Sequence, residues 1–167
     1  MSGGGAFRVS VTKDHLVFSS AHFITFAGHR CEGLHGHNYR ARVTVEGALD
    51  REVWFVFDFV VLKRLMKRLC DDIDHKVLLP LENPKLQLGE TGGSVTVAYE
   101  GKPRYVFPKE DCALLPITNT TVEMLAELLT NRLRQELMAM NARGLTAIEM
   151  EIEENFGQSA VYRVALE

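Results

Sequence analysis

The sequence predicts an α+β fold of paired strands and two amphipathic helices, and three observations lead there. Segments near the start and at the end of the chain alternate apolar and polar residues with the period of two that a half-buried strand requires. Two longer stretches, about Phe59 to Asp72 and Thr120 to Ala142, repeat apolar residues at helical spacing. Paired strands are followed by a helix, and that order occurs twice, a loose symmetry with no other internal repeat.

Residues 1–6, MSGGGA, are expected to form a short flexible tail. Phe7 to Val11 alternates as a strand, Lys13-Asp14 offers a turn, and a second extended segment runs from about Leu16 to His22. The third strand, His35 to Val45, has the clearest pattern. One face carries His35, His37, Tyr39, Ala41, Val43 and Val45, and the other carries Asn38, Arg40, Arg42, Thr44 and Glu46. The two histidines therefore continue the core-facing row. After a turn at Gly47 to Asp50 the run VWFVFDF is expected to be extended. The first helix follows with Asp58 as N-cap and Leu62, Leu65, Met66, Leu69 and Ile73 as its apolar stripe, ending near Asp74-His75. Residues 83–116 carry Pro, Gly and alternating stretches, and are expected to form a long hairpin-bearing connection or insertion. Thr120 and Glu123 have capping-box spacing at the start of the second helix, which closes before Gly144. Two strands end the chain. In the first of them, AIEMEIEE, the row Ile148, Met150, Ile152 places Glu154 on the inward face and sends Glu149, Glu151 and Glu153 to solvent.

At 167 residues the chain is expected to form one domain with a core of its own, so no metal is needed to hold the fold together. A net charge of −3 argues against a nucleic-acid surface and for a small substrate. Cys31, Cys70 and Cys112 are odd in number and widely spaced, which is no disulfide framework; MSGGGAFRVS is not expected to act as a signal peptide, and no run of the sequence approaches a membrane span. A cytoplasmic protein is expected.

Four groups of residues carry possible chemistry. His35 and His37 share one face of one strand, and His22 ends a neighbouring antiparallel strand, so the three can meet at one ion and leave an open coordination position, as in a catalytic zinc site. The competing reading is three satisfied polar residues near a strand end. Cys31, four residues before His35, is a base, a nucleophile, a fourth ligand or a small buried hydrophobe; Cys70 and Cys112 fit only the last description. Asp74 beside His75 can orient the imidazole and raise its pKa, or can belong to a solvated acidic helix end with Asp71 and Asp72. Glu154 can accept two parallel hydrogen bonds from an amidine-like ring edge, or pair with an arginine. Glu123 is accounted for by the Thr120 cap alone.

These pieces, in this order, resemble the 6-pyruvoyl-tetrahydropterin synthase and 6-carboxytetrahydropterin synthase family. The resemblance rests on FSSAHF (18–23), HRCEGLHGHNY (29–39), FVFDF (55–59), DIDHKVLL (72–79), NTTVEMLA (119–126) and EIEENFGQSAVY (151–162), with residues 83–116 the least matched. It implies the tunnelling fold, an antiparallel sheet with two helices on one face whose subunits close into a barrel. It also implies a homo-oligomer, a hexamer of two trimers with sites at subunit interfaces. By resemblance His22, His35 and His37 are the Zn2+ ligands, Cys31 the general base, Asp74 and His75 the proton-relay pair, Glu154 the pterin anchor, and Thr121 with Glu123 part of the pterin pocket. The implied substrate is 7,8-dihydroneopterin triphosphate. A cysteine four residues before HGH resembles the 6-carboxytetrahydropterin synthases of queuosine and 7-deazaguanine synthesis, which release acetaldehyde and triphosphate; 6-pyruvoyl-tetrahydropterin formation is a further alternative, although pyruvoyl-forming members usually have a longer spacer. Glu32 departs from that pattern. Another branch places a glutamate three residues before HGH to make 6-hydroxymethyl-dihydropterin for folate, and this chain carries both Cys31 and Glu32. Glu32 is then a second base in a folate-route or dual-function enzyme, or a bystander facing solvent. A non-catalytic pterin- or purine-binding protein of the same fold is the reading from another class.

Overall fold

Residues that alternate in character pair into sheets, and those with helical spacing cover one face of the largest. The computed structural model describes residues 6–166, Lys13 and His15 excepted, so the expected tail apart from Ala6, and Lys13 of the expected turn, lie outside the described residues. In chain order the strands are β1 (Phe7–Val11), β2 (Val17–His22), β3 (Thr25–Phe26), β4 (Arg30–Cys31), β5 (His35–Gly47), β6 (Lys76–Pro80), β7 (Leu86–Thr91), β8 (Ser94–Tyr99), β9 (Lys102–Pro108), β10 (Cys112–Leu115), β11 (Leu145–Asn155) and β12 (Gln158–Ala165). The helices are α1 (Phe59–Asp71) and α2 (Val122–Ala139).

Strand β5 organises the main sheet, whose order is β10-β6-β2-β5-β11-β12, with β1 also paired to β5. Along one edge β5 pairs first with β2, from His35 to Arg40, and then with β1, from Val43 to Gly47. Along the other edge it pairs with β11. All of these ladders are antiparallel, while β6 and β10 join through parallel pairs. The short strand β6 has no alternation to reveal it: KVLLP becomes progressively buried along its length.

Both helices pack on the face that carries Phe18, Tyr39, Ala41, Val43, Val45, Ile148, Met150 and Ile152. Helix α1 contributes Leu62, Leu65, Met66 and Leu69, each burial worth roughly 1.5–3 kcal/mol. Its N-terminus is closed by Asp58, which accepts from the amides of Val60 and Val61. The opposite face is polar and cross-linked by Arg8 to Glu46 and Glu149, Arg42 to Glu151, and Arg163 to Glu46. Glu149 and Glu151 do leave the core as their period requires. They meet arginines on the other side of the sheet rather than open solvent. Glu153 corrects the expectation further, being only 7% exposed beside the register shift that separates it from Asn155.

Three other expectations are corrected. VWFVFDF is not a strand: Asp50 accepts from the amides of Glu52 and Val53, the chain turns, and Trp54 takes φ +59°. Local side-chain-to-backbone bonding thus prevails over β propensity in a segment with no strand beside it. Helix α2 is capped by Thr121, whose hydroxyl accepts from Met124 N–H, and not by Thr120. The same helix stops at Ala139 rather than Ala142. Asn141 takes φ +55° there, and Ala142 N–H donates back to the Leu137 carbonyl.

The connection from 83 to 116 holds the three-stranded antiparallel meander β7-β8-β9, then a short 3-10 turn and β10. Its apolar face forms a second cluster in which Val95, Val97, Tyr99 and Leu86 meet Phe23 and Leu79 of the main body. The meander is therefore packed against the body of the protein.

Candidate active site

The register of β2 against β5 sets His22 directly opposite His35, and Ser20 opposite His37. Paired residues of an antiparallel ladder share a face, so three imidazoles converge from two strands. One ligand atom from each lies within 4.8 Å of the other two. The Nδ1 of His22 lies 2.8 Å from the Thr120 carbonyl and that of His35 lies 3.0 Å from the Gly33 carbonyl. Carbonyls only accept, so both Nδ1 atoms carry protons and donate them, and both Nε2 atoms present lone pairs. Those two Nε2 atoms face one another at 3.2 Å. Lone pairs at that separation repel unless a cation lies between them, so the donor set fits a metal ion. Burial of His22 lowers its pKa, outweighing the opposing bond to Thr120 and the charge of Glu154, and so favours the neutral ring that a metal requires.

Thr120, expected from the sequence only as a helix cap, thus supports the site through His22. Because Thr121 caps α2, the Thr120 hydroxyl is released to donate to the Phe23 carbonyl at 2.9 Å while its own carbonyl orients His22. The capping-box spacing masked this role.

Glu154 lies on the histidine side of the sheet, as its phase requires. One carboxylate oxygen is 3.4 Å from His22 Nε2 and 3.7 Å from His37 Nε2. The fully buried ring of Tyr39 packs edge-on against both imidazoles. His37 lines two clefts. The larger, about 520 Å³, is also lined by Ser19, Asn38, His75 and Lys76, and the smaller, about 280 Å³, by Arg40, Glu154 and Phe156.

Asp74 and His75 do touch. His75 Nδ1 donates to Asp74 at 3.0 Å, and the other carboxylate oxygen accepts from Ser19 N–H at 2.7 Å. Partial burial works against ionisation of Asp74, but these two donors outweigh it and hold its pKa below the usual carboxylate range. His75 adopts φ +56° and its amide donates to the Ser19 carbonyl. The dyad is therefore fixed to Ser19 of β2, which lines the larger cleft together with His37 and His75.

Cys31 and Glu32 diverge. The thiol packs beside the apolar cluster under the meander, whereas a Glu32 carboxylate oxygen accepts from Ile24 N–H at 3.3 Å and comes within 3.8 Å of His35 Nδ1. Burial raises the thiol pKa, Arg104 opposes that rise, and Glu32 adds to it. Thr121 and the exposed Glu123 line neither cleft within one chain. Cys70 is a buried hydrophobe whose pKa burial pushes up to about 12, and Cys112 is half-buried at the meander.

A curled, mostly antiparallel sheet backed by two helices, with three histidines able to hold a metal ion beside two clefts, defines a tunnelling-fold protein with an enzyme-like centre. A model of the 6-pyruvoyl tetrahydropterin synthase family matches residues 10–165. A Methanocaldococcus jannaschii relative, provisionally named 6-carboxy-5,6,7,8-tetrahydropterin synthase, is 38% identical over 152 residues that cover 91% of this chain and 92% of its own. The Plasmodium falciparum 6-pyruvoyl tetrahydropterin synthase superposes with a TM-score of 0.90 at 30% identity, covering 98% of this chain and all of its own. The Plasmodium vivax enzyme also superposes at 0.90, with 28% identity over 98% of this chain and 100% of its own, and was solved as variants in which a catalytic glutamate is replaced by alanine or cysteine. The chain belongs to the 6-pyruvoyl tetrahydropterin synthase family, and is a lyase of the tetrahydropterin synthase type.

Proposed function

We propose that this chain is a zinc-dependent lyase acting on 7,8-dihydroneopterin triphosphate, forming 6-carboxytetrahydropterin on the route to queuosine and related 7-deazaguanines. The observation that carries the metal-dependent reading is the pair of unprotonated Nε2 atoms held face to face by carbonyls of Thr120 and Gly33. The product assignment is supported by Cys31 four residues ahead of His35 and by the name of the archaeal relative.

His22, His35 and His37 would hold the ion, which supplies a Lewis acid for the oxygens of the substrate side chain. Cys31 takes a proton from that side chain. Asp74 fixes the tautomer of His75 by taking the Nδ1 proton in a hydrogen bond, which leaves the second ring nitrogen to accept and return a proton in the larger cleft. Glu154 accepts two hydrogen bonds from the amino-pyrimidine edge of the ring and holds the side chain in register. Subunits assemble as a hexamer of two trimers. Thr121 and Glu123, which face neither cleft of their own chain, then serve the pocket of a neighbour.

One observation favours a second reading, in which Glu32 is the base and the product is 6-hydroxymethyl-dihydropterin. The Glu32 carboxylate is the one drawn toward His35, and the Plasmodium vivax enzyme uses a catalytic glutamate. Mass spectrometry of the products after incubating zinc-loaded protein with 7,8-dihydroneopterin triphosphate tests the family activity. Cleavage of the side chain is expected. Recovery of bound but intact substrate would leave a pterin-binding protein without turnover.

A further inference from the structure

The loop that carries both candidate bases is held by the meander, from residues more than seventy positions away. The Arg104 guanidinium, on β9, donates to the Glu32 carbonyl at 2.7 Å and to the Cys31 carbonyl at 3.4 Å. Next to it, the Tyr105 hydroxyl accepts from Leu34 N–H at 3.1 Å. The Tyr105 ring packs on Phe23 and on Phe107, with centroids 5.3 Å and 5.4 Å apart, so the hydroxyl is presented from a fixed platform. Glu32 N–H donates in turn to the Ile24 carbonyl at 2.9 Å. Every backbone group named here lies between Cys31 and Leu34 or on the segment they pair with. Fixing the carbonyls of two successive residues fixes the directions in which both side chains leave the backbone.

We propose that Arg104 and Tyr105 are positioning residues that hold the Cys31–Leu34 loop and thereby set whether the Cys31 thiol or the Glu32 carboxylate acts as proton acceptor in the site. The proposal builds on the lyase reading above. It gives the meander a task in the chemistry that its sequence does not announce. Arg104 also places a cation near the thiol. The groups facing that thiol are Arg104 from β9, Tyr99 from β8 and Glu32 from the loop itself, with His29 and Glu100 paired to each other in the adjoining turns. Arg104 alone among them favours the thiolate, so its removal makes the thiol a poorer acceptor at neutral pH.

Three variants, Arg104→Ala, Arg104→Lys and Tyr105→Phe, test this in the full-length, metal-loaded protein. The first readout does not depend on turnover: the pH dependence of Cys31 alkylation by iodoacetamide, located by peptide mass spectrometry. In Arg104→Ala the reaction is expected to slow about tenfold at pH 8 and its midpoint to move to higher pH, with Arg104→Lys restoring part of the rate through its retained charge. The second readout is steady-state kinetics. Arg104→Ala is expected to lower kcat by about ten- to a hundredfold, the scale of a small misplacement of a reacting group, with KM changed less than threefold and the product ratio altered. Tyr105→Phe is expected to alter the product ratio with little change in the alkylation midpoint. A wild-type alkylation profile in Arg104→Ala would overturn the proposal, as would wild-type kcat and product ratio; lowered thermal stability alone would show that the contacts merely dock the meander. Absence of any pterin cleavage by the wild-type protein would sink the lyase reading instead, and alkylation would still report whether Arg104 governs the thiol.

Discussion

His35 and His22 stand in register on adjacent strands, each with its outer nitrogen tied to a backbone carbonyl and its inner nitrogen aimed at the other. Removing His35 takes away a ligand without exposing core, because it lies at the start of its strand and is about one-third exposed. His35→Ala is therefore expected to lose bound metal almost completely while keeping a native circular-dichroism spectrum; unfolding would point to a structural ion. Glu154 faces the same nitrogens and the smaller cleft. Glu154→Gln replaces a two-acceptor carboxylate by an amide with one acceptor, and pterin affinity by calorimetry is expected to fall by at least tenfold. Unchanged affinity would remove Glu154 from the anchor role. Asp74 gives a pH signature. Its pKa in the folded state is depressed, so its contribution to stability is fully present above the unfolded value of about 3.9 and disappears as pH falls through the lower folded value. Denaturant titrations should find Asp74→Ala less stable than the parent at pH 7, with the difference shrinking as pH falls below the ordinary carboxylate range.

At the scale of elements, the histidine row, helix α1 with its Asp58 cap and the phase of Glu154 were legible because each follows from local periodicity. Elements whose existence depends on distant partners were not. Strand β6 pairs in parallel with β2 and β10, a ladder that leaves no periodic trace in the chain, and the alternation within 83–116 announces a hairpin without showing that it packs against Phe23 and Leu79. Likewise Arg104 and Tyr105 are ordinary strand residues until Cys31 and Leu34 are brought against them. The choice between Thr120 and Thr121 as cap turned on one residue, and only the tertiary bonds of Thr120 to Phe23 and His22 resolve it. Thr121→Ala should therefore cost about 1 kcal/mol in denaturant unfolding, as loss of an N-cap does. A neutral Thr121→Ala would remove Thr121 from the capping role. Gly47 reports on packing between elements: a Cβ there would lie 2.4 Å from the Gly144 carbonyl where β5 meets the turn into β11. Gly47→Ala is expected to lower stability by about 1–3 kcal/mol.

For the whole molecule, one surface and one product remain to be connected. Val53, Trp54, Phe55, Phe59 and Val60 leave much of their apolar area exposed in a single chain, an arrangement that suits burial between subunits. The hexamer reading predicts, by light scattering, a mass several times the 18.8 kDa of one chain; a monomer would leave Thr121 and Glu123 without a pocket. The sheet, its polar face and its helix-covered face bring histidines, dyad and Glu154 to adjoining clefts, and the proposed chemistry turns on which side chain of the Cys31-Glu32 pair takes the proton. The measurement that decides it is product analysis by mass spectrometry for the zinc-loaded parent, Cys31→Ala and Glu32→Ala proteins, each incubated with 7,8-dihydroneopterin triphosphate. The account predicts 6-carboxytetrahydropterin from the parent and from Glu32→Ala, and none from Cys31→Ala. A 6-hydroxymethyl-dihydropterin product that survives in Cys31→Ala and vanishes in Glu32→Ala would contradict it.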